Sequence, residues 1–240
     1  MRRFISAVFA ALGLLSLAAC ATPEIPYDRD AAKDIKTIGV ITPRFPTDPS
    51  VHLASTPGQS FGLIGALVDA GIQSSRETRF KSMVQSQNFV AESAFLASLT
   101  TSLQAAGYQT SAVTLKHDQN DFVAVYPKDR VPQVDAFLDV VVSSYGYAAA
   151  GVMNDTPFRP WVTLKVRMVG AKDSAVLMQN TVTYNPIGPG IARGKAISIA
   201  PNPAYQFQTS DMLMGDPPRA VEGMRSSLDQ TAQTIAQLLK

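Results

Sequence analysis

The chain has 240 residues, 46% of them hydrophobic, and a formal charge of +2. Arg2 and Arg3 supply that excess, so the rest of the chain is neutral and has no basic field to recruit nucleic acid. The length suits one domain with a real core, and no like-charge run marks an acidic or basic tail.

Met1-Arg2-Arg3 is a short positive region, and Phe4 to Leu17, FISAVFAALGLLSL, is an apolar or small-residue run. It ends in Leu17-Ala18-Ala19-Cys20. A positive start, an apolar stretch of roughly 7–15 residues and small residues at the cut site define a secretory signal. A transmembrane helix needs roughly 20 apolar residues, more than this run offers. Ala21-Thr22-Pro23 follows at once.

The Leu-Ala-Ala-Cys tail resembles the lipobox of bacterial lipoproteins. The resemblance implies cleavage between Ala19 and Cys20, a diacylglycerol thioether on Cys20 and a third acyl chain, such as palmitate, on its amine. Each buried CH₂ adds about 0.8 kcal/mol, so two or three chains make a lasting membrane anchor. Ala21 lacks the Asp that favours inner-membrane retention in enterobacterial lipoproteins. The resemblance therefore points to the outer membrane, with the domain facing the periplasm. Cys20 is also the only cysteine, which leaves no disulfide, thiol nucleophile or cysteine-based metal site.

Residues 20–36, with Pro23, Pro26 and mixed charges, are expected to form a lipidated tether that reaches at most about 50 Å. Residues 37–240 are expected to form a single α/β domain. Lys36 to Thr42, KTIGVIT, predicts a strand, and the prolines at 43, 46, 49 and 57 predict a loop over 43–59. Phe61 to Ser86 and Ala91 to Ala106 have helical apolar spacing, the second ending at Gly107. Tyr108 to Leu115 predicts a strand, so the order suggests a parallel crossover. Ala136 to Tyr147, AFLDVVVSSYGY, is apolar on both faces and reads as central. In Trp161 to Val169, Val162, Leu164, Val166 and Met168 point one way, and Thr163, Lys165 and Arg167 point towards solvent. Gly170 to Asp173 turns the chain into an antiparallel partner carrying Val176, Met178, Val182 and Tyr184. Pro218 to Leu239 predicts a long amphipathic helix with Val221, Met224, Leu228, Ile235 and Leu238 as its stripe.

The fold class that follows is α/β, one mixed sheet packed with amphipathic helices and closed by a long C-terminal helix. The order IGVIT, LQAAGYQTS, DAFLDVVVSSYGY, WVTLKVRMVGAKDSAVLMQNTV and closing helix resembles the curli-secretion lipoprotein and the lipoprotein activators of penicillin-binding proteins. That resemblance implies a domain used for assembly and contact rather than chemistry. It lies in element order, and no functional residue carries over.

Three patterns bear on chemistry. Gly58-Gln59-Ser60-Phe61-Gly62 fits the nucleophile elbow G-x-S-x-G, but Ser55-Thr56-Pro57 precedes it instead of a strand. The motif reads instead as a Gly-Ser N-cap before a helix. His117, Asp118 and Asp121 have no second cluster to complete a metal shell and predict a solvated turn; His52 is expected to be exposed. Gly62, Ala66 and Ala70 give the first helix a small-residue face, suited to packing on the sheet or on another copy.

No catalytic residue, metal site or cofactor is therefore expected. The long segment 185–211 is the favoured contact surface, with Arg193, Lys195, Tyr205 and Phe207 as anchors, and Ile197 and Ile199 pairing with Tyr205 and Phe207 in a hairpin. The expected partners are the membrane, through lipid on Cys20, and an unidentified envelope protein, with a homo-oligomer or an export assembly as alternatives. A serine hydrolase using Ser60 is the enzymatic alternative.

Overall fold

The computed structural model describes residues 24–54, 62–118, 120–127, 133–151, 156–187 and 196–240. Their fold is α/β, one mixed seven-stranded sheet packed with helices. Strand β1 (Thr37–Ile41) leads to β2 (Ser50–Leu53), and helices α1 (Gly62–Ser86) and α2 (Ala91–Ala105) follow. Next come β3 (Gln109–Val113), β4 (Ala136–Ala149), β5 (Arg159–Gly170), β6 (Val176–Tyr184) and β7 (Ile197–Ile199). Helices α3 (Ser210–Gly215) and α4 (Pro217–Leu238) complete the order.

The strands lie in the order β3-β1-β4-β5-β6-β7, with β2 also on β4. β1 runs parallel to β3, so the pair of helices forms the expected parallel crossover. β4, β5 and β6 form an antiparallel meander, and Leu164 faces Val182 as the alternation requires. β1 and β2 lie along the same side of β4, one on each half. The loop expected over 43–59 therefore contains a strand. Its four residues alternate half-buried and buried, a pattern too short to stand out between prolines. Gly146 makes this pairing possible. Its φ is +138°, and a Cβ there would meet the Ser50 carbonyl oxygen at 1.9 Å.

One sheet face carries the main core. Val162, Leu164, Val166 and Met168 of β5 meet Phe95, Leu99 and Leu103 of α2 and Met224, Leu228 and Ile235 of α4. Each such side chain contributes about 1.5–3 kcal/mol when fully buried. α4 starts with Pro217 and Pro218 in its first turn, and Asp216 accepts a hydrogen bond from the Arg219 amide at 3.3 Å.

The second face is less solvated than the alternation of β5 predicts. Ile41, Val113, Val123 and Phe137 form a smaller cluster there, with Leu115, Tyr126 and Val134 packed against it. The segment between β3 and β4 thus lies over the sheet, and Thr163, expected in solvent, is only 8% exposed. Lys165 and Arg167 remain half-buried. Long basic side chains can cover apolar surface with their stems while the charged head reaches water.

The amino-terminal segment also departs from a free tether. Ile25 exchanges backbone hydrogen bonds with Gln179 at 2.7 and 2.8 Å, and the Asp28 amide donates to the Leu177 carbonyl at 2.9 Å. Ala32 is buried, and the Tyr27 hydroxyl lies 3.2 Å from that of Tyr108. The cause is an open edge: β7 covers only Val182 to Tyr184 of β6, and unpaired strand groups take another segment.

Truncating Leu164 to Ala removes a fully buried side chain from the centre of the meander and is expected to cost about 3 kcal/mol. Lys165→Ala, one residue along, is expected to stay within about 0.5 kcal/mol. Urea unfolding of the two variants checks the register, because equal losses would place both residues on one face.

Candidate functional site

β4 reads as apolar on both faces, yet its fourth residue is an acid. Asp139 is fully buried on the second sheet face. Three groups from the overlying segment converge on its carboxylate. His117 Nε2 lies 2.7 Å from Oδ1. The Val123 amide donates to Oδ2 at 2.8 Å, and the Tyr126 hydroxyl donates to the same oxygen at 2.9 Å. An acid without partners would be strongly disfavoured in such a place, and these donors replace water.

The surroundings extend the network. Arg167 stands opposite Asp139 in the β4–β5 register, donates from Nε to Gln179 at 2.5 Å and places its guanidinium 4.1 Å from the Phe122 ring centre. Tyr126 stacks on Phe137 at 5.8 Å. Burial, followed by the Asp139 charge, pushes the Tyr126 hydroxyl well above the usual tyrosine range. His117 is therefore not part of a solvated turn; its side chain is 5% exposed, although the expected turn residues Asp118 and Asp121 do reach solvent. His117 lines a cleft of about 370 Å³ with Thr42, Arg44, Glu92, Thr114 and Lys116.

An aspartate that orients a histidine is two-thirds of a catalytic triad. Among the described residues no serine or threonine hydroxyl is hydrogen-bonded to His117, and Ser60 and Gly58 lie outside the described residues. No group of three or more His, Cys, Asp or Glu among the described residues could hold a metal ion. The three bonds tie His117, Val123 and Tyr126 to the sheet. The aspartate inside an apolar run, with a histidine and a tyrosine upstream, was the available sequence signal.

His52 also differs from expectation. It lies on β2, half-buried, with its ring 6.0 Å from that of Trp161, and burial lowers its pKa. On the same sheet face, Trp161 Nε1, Thr163 Oγ1 and Thr183 Oγ1 are buried without a hydrogen-bond partner among the described residues.

The expected contact segment divides. Arg193 and Lys195 lie outside the described residues, as do Ala19 and Cys20. Phe207 is a core residue, not an exposed anchor. It is 3% exposed, pairs its backbone with Phe158 and sets its ring 5.7 Å from Tyr147. Tyr205 is half-buried at the end of a 3₁₀ turn, and Ile197 and Ile199 pair in parallel with β6. The expected hairpin does not form, because β7 pairs with β6, Pro203–Tyr205 is a 3₁₀ turn and Phe207 pairs with Phe158 instead. Sequence reasoning also missed Arg219. Its guanidinium donates to the carbonyls of Ala204, at 3.0 and 2.8 Å, and Gln206, at 2.9 Å, and lies 4.5 Å from the Phe207 ring centre.

No protein-family model matches the chain, and no curated protein is similar to it. Among solved structures, the lipoprotein GNA1162 of Neisseria meningitidis is 17% identical, with 62% of this chain and 81% of that chain covered and a TM-score of 0.35. A Xanthomonas campestris protein of family DUF330 is 12% identical over 90% of this chain and 85% of that one, with a TM-score of 0.43. The PelC dodecamer of Paraburkholderia phytofirmans is 12% identical over 91% and 96%, with a TM-score of 0.35.

Asp139→Ala leaves a histidine, an amide and a hydroxyl without their acceptor and is expected to cost about 3 kcal/mol or more. Tyr126→Phe removes one bond to a charged group and is expected to cost about 1.5 kcal/mol. Hydrogen exchange at the Val123 amide distinguishes pinning from general loss of stability: Asp139→Ala should expose it under conditions where the β5 amides stay protected.

Proposed function

We propose that this protein is an exported bacterial lipoprotein, held on the periplasmic side of the outer membrane by lipid on Cys20, and that its α/β domain works by protein contact rather than catalysis. One observation carries this reading: the positive start, the apolar run and Leu17-Ala18-Ala19-Cys20 form a signal and acceptor in the required order. Among the described residues no helix is long and apolar enough to cross a membrane, so in this reading the lipid supplies the attachment.

The described geometry supports the contact role by where it spends its polar groups. His117 and Tyr126 both bond to Asp139, and Arg219 bonds to backbone carbonyls. Both sets hold chain segments in place. Neither presents a nucleophile beside a base, which acyl or phosphoryl chemistry needs.

Cys20→Ser removes the lipid acceptor. The expected product is an uncleaved precursor that takes up no labelled palmitate. A mature-size, membrane-retained Cys20→Ser protein would contradict the reading, and gel mobility with acyl labelling measures it.

A further inference from the structure

β1 and β3 run parallel, and α2 leads from the C-terminal end of one back to the start of the other. In open α/β sheets ligands bind outside the carboxyl ends of such strands, because helix amides and strand-end side chains gather there. The cleft of about 370 Å³ beside His117 lies in that position. Thr42 and Arg44 in its wall follow β1, and Thr114 and Lys116 follow β3. Glu92 enters from the first turn of α2. The Phe45 ring, 5.7 Å from that of Phe95, holds that end of α2 against the sheet. Val90 at the N-cap supplies no side-chain acceptor, so the first amides of α2 are left uncapped.

His117 makes the cleft more than a surface groove. Its side chain is 5% exposed, and Nε2 is committed to Asp139 at 2.7 Å. Its other nitrogen, Nδ1, has no hydrogen-bond partner among the described residues, yet unlike Trp161 Nε1 it is not sealed from solvent. A ring fixed through one nitrogen in the wall of a cleft offers the other to whatever sits there. Arg44 and Lys116 bring positive charge to the same wall, the threonines bring hydroxyls, and Glu92 brings a carboxylate. We propose that this cleft binds inorganic hydrogen phosphate, with Arg44, Lys116 and the α2 amides on its charged oxygens and Glu92 accepting from its P–OH. A carboxylate in an anion site repels every anion that has no hydrogen to give it. Glu92 therefore acts as a filter, turning away sulfate and phosphate monoesters of the same charge. His117 Nδ1 completes the shell in either protonation state, accepting in the neutral ring and donating in the charged one. This binding does not depend on the lipid at Cys20 and stands beside the contact role.

The test uses the purified full chain in detergent at about pH 8. Inorganic phosphate, sulfate and glycerol 3-phosphate then all carry close to two negative charges, and only inorganic phosphate keeps a hydrogen. Calorimetric titration should show saturable binding of inorganic phosphate, at least about tenfold tighter than of either other anion. Glu92→Gln, whose amide donates as well as accepts, should admit sulfate and close that gap. Lys116→Ala should weaken phosphate binding about tenfold. Both side chains reach solvent, so both variants should keep the urea unfolding of the parent chain. Nitrogen NMR of the chain's two histidines locates the event: phosphate should move the His117 signals and leave those of His52 in place. Absence of saturable phosphate binding overturns the site. Equal binding of all three anions overturns the filter and with it the assigned ligand. Binding that leaves His117 unmoved, or that survives Lys116→Ala unchanged, puts the anion elsewhere and overturns the proposal as well. Should a variant fail to fold, the three anions and the histidine signals of the parent chain still decide.

Discussion

The fold depends on how β4 is paired. Its fourteen residues are long enough to carry β5 along one side and two separate strands, β1 and β2, along the other. Strand groups buried in a core must be paired, and no single short strand could pair all of that side. The register shift between Val142 and Ser144 and the left-handed Gly146 divide β4 into two halves with different neighbours. The lower half holds β1, and through it β3 and the helical crossover. The upper half holds β2, which passes across Gly146 so closely that no side chain fits there.

The same strand places the buried acid. Asp139 points away from the helices, where the described residues between β3 and β4 form no helix or strand. Such a segment satisfies its backbone one group at a time, and a side-chain acceptor fixed on a rigid strand is a means of doing so. Arg219 does the same from α4 for the segment after β7, acting on carbonyls as Asp139 acts on donors. One acid and one base, each rooted in a regular element, thereby order two irregular stretches on opposite faces of the sheet.

Elements with one buried face were legible in the sequence. α2, β5 and α4 repeat their apolar residues at the period of the structure they form, because each turns one apolar face to the main core. β4 was legible as central because it is apolar on both sides. The losses have specific causes. β2 is four residues between prolines and takes its shape from β4. Arg167 and Lys165 looked solvated because charge type does not reveal an overlying loop. Residues 25–32 looked like spacer because their order comes from the open edge of β6, a feature of tertiary pairing. Asp139 was hidden within DVVV, where the apolar run outweighed the acid. Phe207 was read as exposed because a Pro-rich segment gives no periodicity to orient it.

The pairing of Ile25 with Gln179 also sets an order of events in folding. The meander of β4, β5 and β6 joins strands that follow one another along the chain, so little entropy is lost in closing it. Ile25, β1 and β2 join partners much further along and gain nothing until those partners exist. In a chain that emerges amino terminus first, the earliest residues are therefore the last to be secured. Until β6 is complete they remain a loose strand, open to whatever enzymes or carriers act on nascent chains, and closure of the sheet ends that interval.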